Sequence, residues 1–134
     1  MTKVLRYDAK RDEMYHFKIK NYIVPAVRMT QGSKWNSRSQ RYLASQTKIG
    51  YQLKHQMRDN DWEMLPNSTP LKCAIRVHRK GGLHTCDLDN IVKALLDAAQ
   101  KIVFKNDLWI DEIEARRKLS DDKVDYCELW IGAI

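Results

Sequence analysis

The chain has 134 residues, of which 43% are hydrophobic and 31% charged, with a net charge of +7. That size suits a single domain, residues 1–134, with one core, and no apolar run is long enough to span a bilayer. The three cysteines, Cys73, Cys86 and Cys127, share no short spacing, which argues against a disulfide-framed scaffold; the charged N-terminus lacks a secretory apolar stretch, so a cytoplasmic protein is expected.

In chain order, the first element is a strand at Tyr15–Lys20, where Tyr15, Phe17 and Ile19 alternate with His16, Lys18 and Lys20. Pro25 and the run Thr30-Gln31-Gly32-Ser33 mark loops around Arg28. A helix is predicted from about Ser39 to Arg58, with Tyr42, Ile49, Leu53 and Met57 on one stripe. Pro66 and Pro70 break the chain. Leu71, Cys73, Ile75 and Val77 then alternate with Lys72, Ala74, Arg76 and His78 in a second strand, which Gly81-Gly82 ends. A second helix follows, with Leu88, Ile91, Val92, Leu95, Leu96, Ala99 and Ile102 at three- and four-residue steps. Asn106-Asp107 reads as a turn. Ile110–Lys118 and Val124–Ile131 read as strands, joined as a hairpin about Asp121-Asp122. The order predicts an α+β domain, a small mixed β-sheet with helices packed on it.

Charge is unevenly spread along these elements. Residues 1–80 carry 17 Lys/Arg and 6 Asp/Glu, whereas residues 81–134 carry 7 and 11. No acid occurs between Glu13 and Asp59, a stretch that holds Arg28, Lys34, Arg38, Arg41, Lys48 and Lys54. Such a run is either a solvated face or the electrostatic footprint of a polyanion. Trp35, Tyr42 and Tyr51 interleave with the cations, which favours nucleic acid, and these six basic residues are the candidate DNA contacts.

The acidic half carries the candidate chemistry. Asp87 and Asp89 stand one residue apart where the second strand gives way to the second helix. Such a pair either caps the helix or holds a hard divalent cation, which takes oxygen ligands and leaves room for water and phosphate. Asp89, Lys93, Asp97 and Lys101 recur every four residues along one polar stripe. Lys93 is thus either one rung of a surface ion-pair ladder or a cation placed to offset charge on a reacting phosphate. A return of the chain at Asp107 would add a third carboxylate at the same end of the sheet. His78, His84 and Cys86 precede the pair but lack the fourth ligand and the spacing of a zinc site, and read as loop and strand residues.

The run Asp87-Leu88-Asp89-Asn90, then Lys93, Leu95-Leu96-Asp97-Ala98 and Asn106-Asp107, resembles the core signature of the RusA-like Holliday junction resolvases. The match is strong over residues 86–118 and weaker over Pro25–Arg28 and Cys73–Arg79. The family commonly has a second aspartate where this chain has Asn106, and Ser-Gln where it has Leu108-Trp109, so the acidic role carries to Asp107 only. The resemblance implies a RusA-like fold and a homodimer that cuts branched DNA, a four-way junction, with Mg²⁺ or Mn²⁺ as a substitute. It implies that Asp87, Asp89 and Asp107 hold the metal and that Lys93 assists them. A bacterial or phage-borne enzyme of recombination or repair is the corresponding expectation, with one complete metal site in each subunit. Two rivals remain from the sequence: a DNA-binding regulator without catalysis, and a nuclease for flaps or forks.

Overall fold

The computed structural model describes residues 14–21, 23–26 and 37–134. Among these, β1 (Tyr15–Lys20), α1 (Ser37–Asp59), β2 (Leu71–Arg79), α2 (Leu88–Ala99), β3 (Ile110–Leu119) and β4 (Tyr126–Ala133) succeed one another, with a 3₁₀ turn at Asp107–Trp109 before β3. The strands form one sheet in the order β1-β4-β2-β3. β2 pairs parallel with β3 and antiparallel with β4, and β1 pairs antiparallel with β4. This is the expected α+β domain with a small mixed sheet.

Both helices cover one face of that sheet. Phe17 and Ile19 of β1, Cys73, Ile75 and Val77 of β2, and Cys127, Leu129 and Ile131 of β4 meet Tyr42, Ile49 and Leu53 of α1 and Ile91 and Leu95 of α2 in one core. The buried positions of α1 recur at three- and four-residue steps because only that spacing keeps one stripe on the sheet. The helix closes on a left-handed Asp61, φ 56°. The Trp62 amide reaches back to Met57 carbonyl at 2.8 Å and the Asp61 amide to Arg58 carbonyl at 3.1 Å, the pair of bonds that satisfies a helix end. Trp62 then stacks on Tyr15 at 4.4 Å between ring centroids, fixing α1 to β1.

A second link between these elements is made by amides. Gln56 Oε1 accepts from the Lys18 amide at 3.0 Å and its Nε2 donates to Lys18 carbonyl at 2.9 Å. Gln52 repeats the pattern on Lys20, at 2.7 and 3.3 Å. Two side chains one helical turn apart thus take the place of a neighbouring strand along the outer edge of β1.

Two expectations need correction. β3 and β4 do not form a hairpin, because β4 runs between β1 and β2 and the chain crosses the end of β2 to get there. That crossing is held by Ser120 amide on Arg79 carbonyl at 2.7 Å and by the Asp125 carboxylate, which takes the Lys80 amide at 2.9 Å and Arg79 Nε at 3.3 Å. β2, whose alternation predicts one buried face, is buried from Leu71 to His78, since strands flank it on both sides. Arg76 is kept there by Glu114 at 3.4 Å, and His78 by Glu128 at 3.1 Å.

Candidate active site

α2 carries the acidic pair at its N-terminus, and its sequence explains why it starts there. Gly82, at φ 58°, allows the turn that brings Thr85 amide and hydroxyl back to its carbonyl, and the apolar stripe begins at Leu88. Asp87 occupies the N-cap with extended backbone, φ −73° and ψ 140°, yet its side chain makes no capping hydrogen bond. Of the two readings of the pair, capping therefore fails, and the carboxylate is left for another partner. Both Asp87 and Asp89 are exposed. The positive end of the helix dipole lies beneath them.

The surroundings of Asp87 are cationic. A cleft of about 660 Å³ is lined by Cys86, Asp87 and Asn90 on one side and by Pro25, Arg38 and Arg41 on another. Ala26 amide donates to Asn90 carbonyl at 3.0 Å, which ties the Pro25 segment to the first turn of α2. From β3, Arg117 donates to Cys86 carbonyl, placing a guanidinium directly before the acidic pair. Sequence reasoning missed Arg117: its role depends on the parallel β2–β3 register, which no local pattern reveals.

Lys93 follows Asp89 by one turn and is paired with Asp97 at 3.5 Å, with its side chain 65% exposed. Asp97 also accepts from Tyr42 Oη at 3.3 Å. Burial first, and then the Asp97 charge, push the Tyr42 phenol up to about 12. Tyr42 is thus a core residue and not a stacking platform. Of the ladder expected along α2, the rung between Lys93 and Asp97 is formed. Lys101 lies beyond the helix, at φ 71°, because α2 ends at Ala99.

Asp107 stands elsewhere. Its amide donates to Gln100 Oε1 at 3.0 Å, at the far end of α2 from Asp87, and its side chain is exposed. Asn106 caps the 3₁₀ turn by accepting from Leu108 amide at 2.9 Å, which gives the asparagine a structural role of its own. Within one chain, then, Asp107 does not return to the end of the sheet that holds Asp87 and Asp89. Among the described residues no group of three metal-ligating side chains is assembled. That holds for His78, His84 and Cys86 as well.

Of the candidate DNA contacts, Arg28 and Lys34 lie outside the described residues. Arg38 and Arg41 line the acidic cleft. Lys48 lines a separate groove of about 680 Å³ between β1 and α1, with Lys18, Lys20, Tyr51 and His55, and Lys54 faces a hollow shared with Asp97. Lys18 and Lys20 belong to the acid-free stretch but were not among the candidate contacts, because β1 lies apart from α1 in the chain.

A family model described as endodeoxyribonuclease RusA matches residues 5–126, from before β1 into the first residue of β4. The chain belongs to the RusA family. RusA proteins are Holliday junction resolvase endonucleases, so the cleft at the start of α2 belongs to an enzyme that cuts DNA. A search of the curated proteins finds no significant match. The RusA match extends well beyond residues 86–118, and takes in both the basic helix α1 and the acidic pair. No helix among the described residues is long and apolar enough to cross a membrane.

Proposed function

We propose that this chain is a divalent-metal-dependent, structure-specific endonuclease that resolves four-way junctions by paired, symmetric nicks, in recombination, repair or phage DNA processing. The observation that carries this reading is the cleft in which the uncapped Asp87 faces Arg38 and Arg41. Carboxylates alone would repel a phosphate, and arginines alone would only bind one. Together they suit a phosphodiester approaching through a cation.

The donor pair suits Mg²⁺, with Mn²⁺ as a substitute: Asp87 and Asp89 offer exposed carboxylate oxygens one residue apart, whereas Asp107 lies at the far end of α2. When bound, the cation supplies Lewis acidity at the scissile phosphate. The chain does the rest. Asp87 and Asp89 present their carboxylates at the positive end of the α2 dipole. Arg38 and Arg41 hold flanking backbone phosphates and position the strand without reading bases. Lys93 offers an ammonium one turn along from Asp89 to offset charge in the transition state. Arg117 is a positioning residue, anchoring the strand-to-helix connection through Cys86 carbonyl.

The test is nicking of a four-way junction, a flap, a fork and a linear duplex, with and without Mg²⁺, by the wild type and by Asp87→Asn and Asp89→Asn. The expected result is paired nicks in the junction that require both the metal and both aspartates, with junction binding intact or tighter in the variants. Near-full nicking by Asp89→Asn sinks the proposal. Tight junction binding by the wild type with no nicking in Mg²⁺ makes the protein a binding module.

A further inference from the structure

Tyr51 sits in the middle of α1 and is 63% exposed. The stripe of α1 that meets the sheet runs through Ile49, Leu53 and Met57, so the ring is held out of the core. Its neighbours on the helix surface are basic. Lys48 lies three residues before it, and Lys54 and His55 three and four residues after. Arg41, Lys48 and His55 are also seven residues apart, so one basic line follows roughly 21 Å of the helix.

Tyr51 forms the ridge between two hollows. On one side is the groove of about 680 Å³ against β1, with Lys20, Lys48 and His55 on its wall. On the other is a hollow of about 390 Å³ that Lys54 lines. No carboxylate among the described residues lines the groove, and Asp97 in the second hollow is already paired with Lys93. The floor is fixed before anything binds, because Gln52 and Gln56 spend both ends of their amides on the β1 backbone. Arg58 donates to His55 Nδ1 at 2.7 Å, which leaves the Nε2 proton as the donor that His55 offers.

A polyanion that carries flat rings matches this surface, with phosphates for the cations and a base for the tyrosine. In a duplex each base face is covered by its neighbours, so only an unpaired nucleotide can lay its face on Tyr51. We propose that Tyr51 is a stacking platform for an unpaired DNA nucleotide, with the flanking phosphates held by Lys20 and Lys48 on one side and Lys54 on the other. That the strand is DNA rests on the nuclease reading above; the surface itself needs no metal. The groove thereby tells unpaired strand from duplex at a place separate from the cleft.

The test is fluorescence anisotropy of a labelled oligothymidylate of roughly 12 nucleotides and of a duplex of the same length, in chelator. The proteins are the wild type, Tyr51→Ala, Tyr51→Phe and Lys48→Ala, with melting curves to check that these exposed substitutions leave the fold intact. Tyr51→Ala should weaken single-strand binding roughly 5- to 150-fold and leave duplex binding within about two-fold of wild type. Tyr51→Phe should bind the single strand as the wild type does, since stacking needs the ring and not the hydroxyl. Lys48→Ala should lower the single-strand salt slope by about 0.7. Equal losses on single strand and duplex, or no loss on either, overturn the platform, as does a Tyr51→Phe variant as weak as Tyr51→Ala. Binding of oligouridylate roughly ten-fold tighter than oligothymidylate overturns DNA as the occupant. Nothing is cut in chelator, so failure here is distinguishable from failure of junction nicking.

Discussion

Removing the two guanidiniums of the acidic cleft, by Arg38→Ala with Arg41→Ala, should alter how DNA affinity depends on salt. Each phosphate contact to duplex arms contributes about 0.9 to the slope of log affinity against log salt, so losing two lowers it by about 1.8. Between about 50 and about 200 mM salt the wild type should therefore lose roughly twelve-fold more affinity than the double variant. At about 0.1 M the variant should bind roughly 60-fold more weakly if the contacts are wholly electrostatic. Both arginines are exposed, so the folding stability should stay within about 0.5 kcal/mol of wild type. Fluorescence anisotropy of a labelled junction, titrated in chelator so that nothing is cut, gives the slope directly. An unchanged slope with normal folding would show that the arginines are a solvated face, and that their sharing a cleft with Asp87 has no bearing on phosphate binding.

Lys93→Ala should lower the nicking rate by roughly a hundred- to a thousand-fold, as loss of a transition-state donor does, yet cost only about 0.3–0.5 kcal/mol of stability, since Lys93 in its i,i+4 pair with Asp97 is largely exposed. Normal nicking with that small loss leaves Lys93 an ion-pair residue only. Burial pushes the Cys73 and Cys127 thiols up to about 12, so the folded protein keeps them protonated where the unfolded chain ionises them. Their contribution to stability is full below about pH 8.5 and falls as pH rises toward 12. Melting temperature measured up the alkaline range should decline accordingly, and a thiol reagent at neutral pH should label Cys86 well before the other two.

What could be read from the sequence was local. The Tyr15–Lys20 strand falls where alternation puts it, because its outward side chains are polar and its inward ones apolar. The start of α2 at the acidic pair was legible from the onset of a three- and four-residue apolar repeat. Pairing between distant segments was not. Nothing in Asp121-Asp122 says that the chain will cross a strand before pairing again. Nothing in Lys72, Arg76 or His78 says that flanking strands will bury them. Asp107 shows the same limit most clearly: its spacing from Asp89 marks it as a carboxylate of interest, but the axial length of α2 decides which end of the molecule it occupies. Residues such as Arg38 and Arg117 acquire their meaning only through the elements they reach across to.

The glutamine pairs on β1 have a consequence for assembly as a whole. A sheet with two free edges is bivalent: copies can add at both margins and grow without limit, as head-to-tail contacts do when they fail to close. Here Gln52 and Gln56 saturate the amides and carbonyls of Lys18 and Lys20 from within the same chain, which removes that stretch of one margin from use. Among the described residues, Lys18 and Lys20 of β1 therefore offer no free amide or carbonyl to an added strand. Growth of the sheet from that margin is disfavoured by construction, whatever meets the opposite edge.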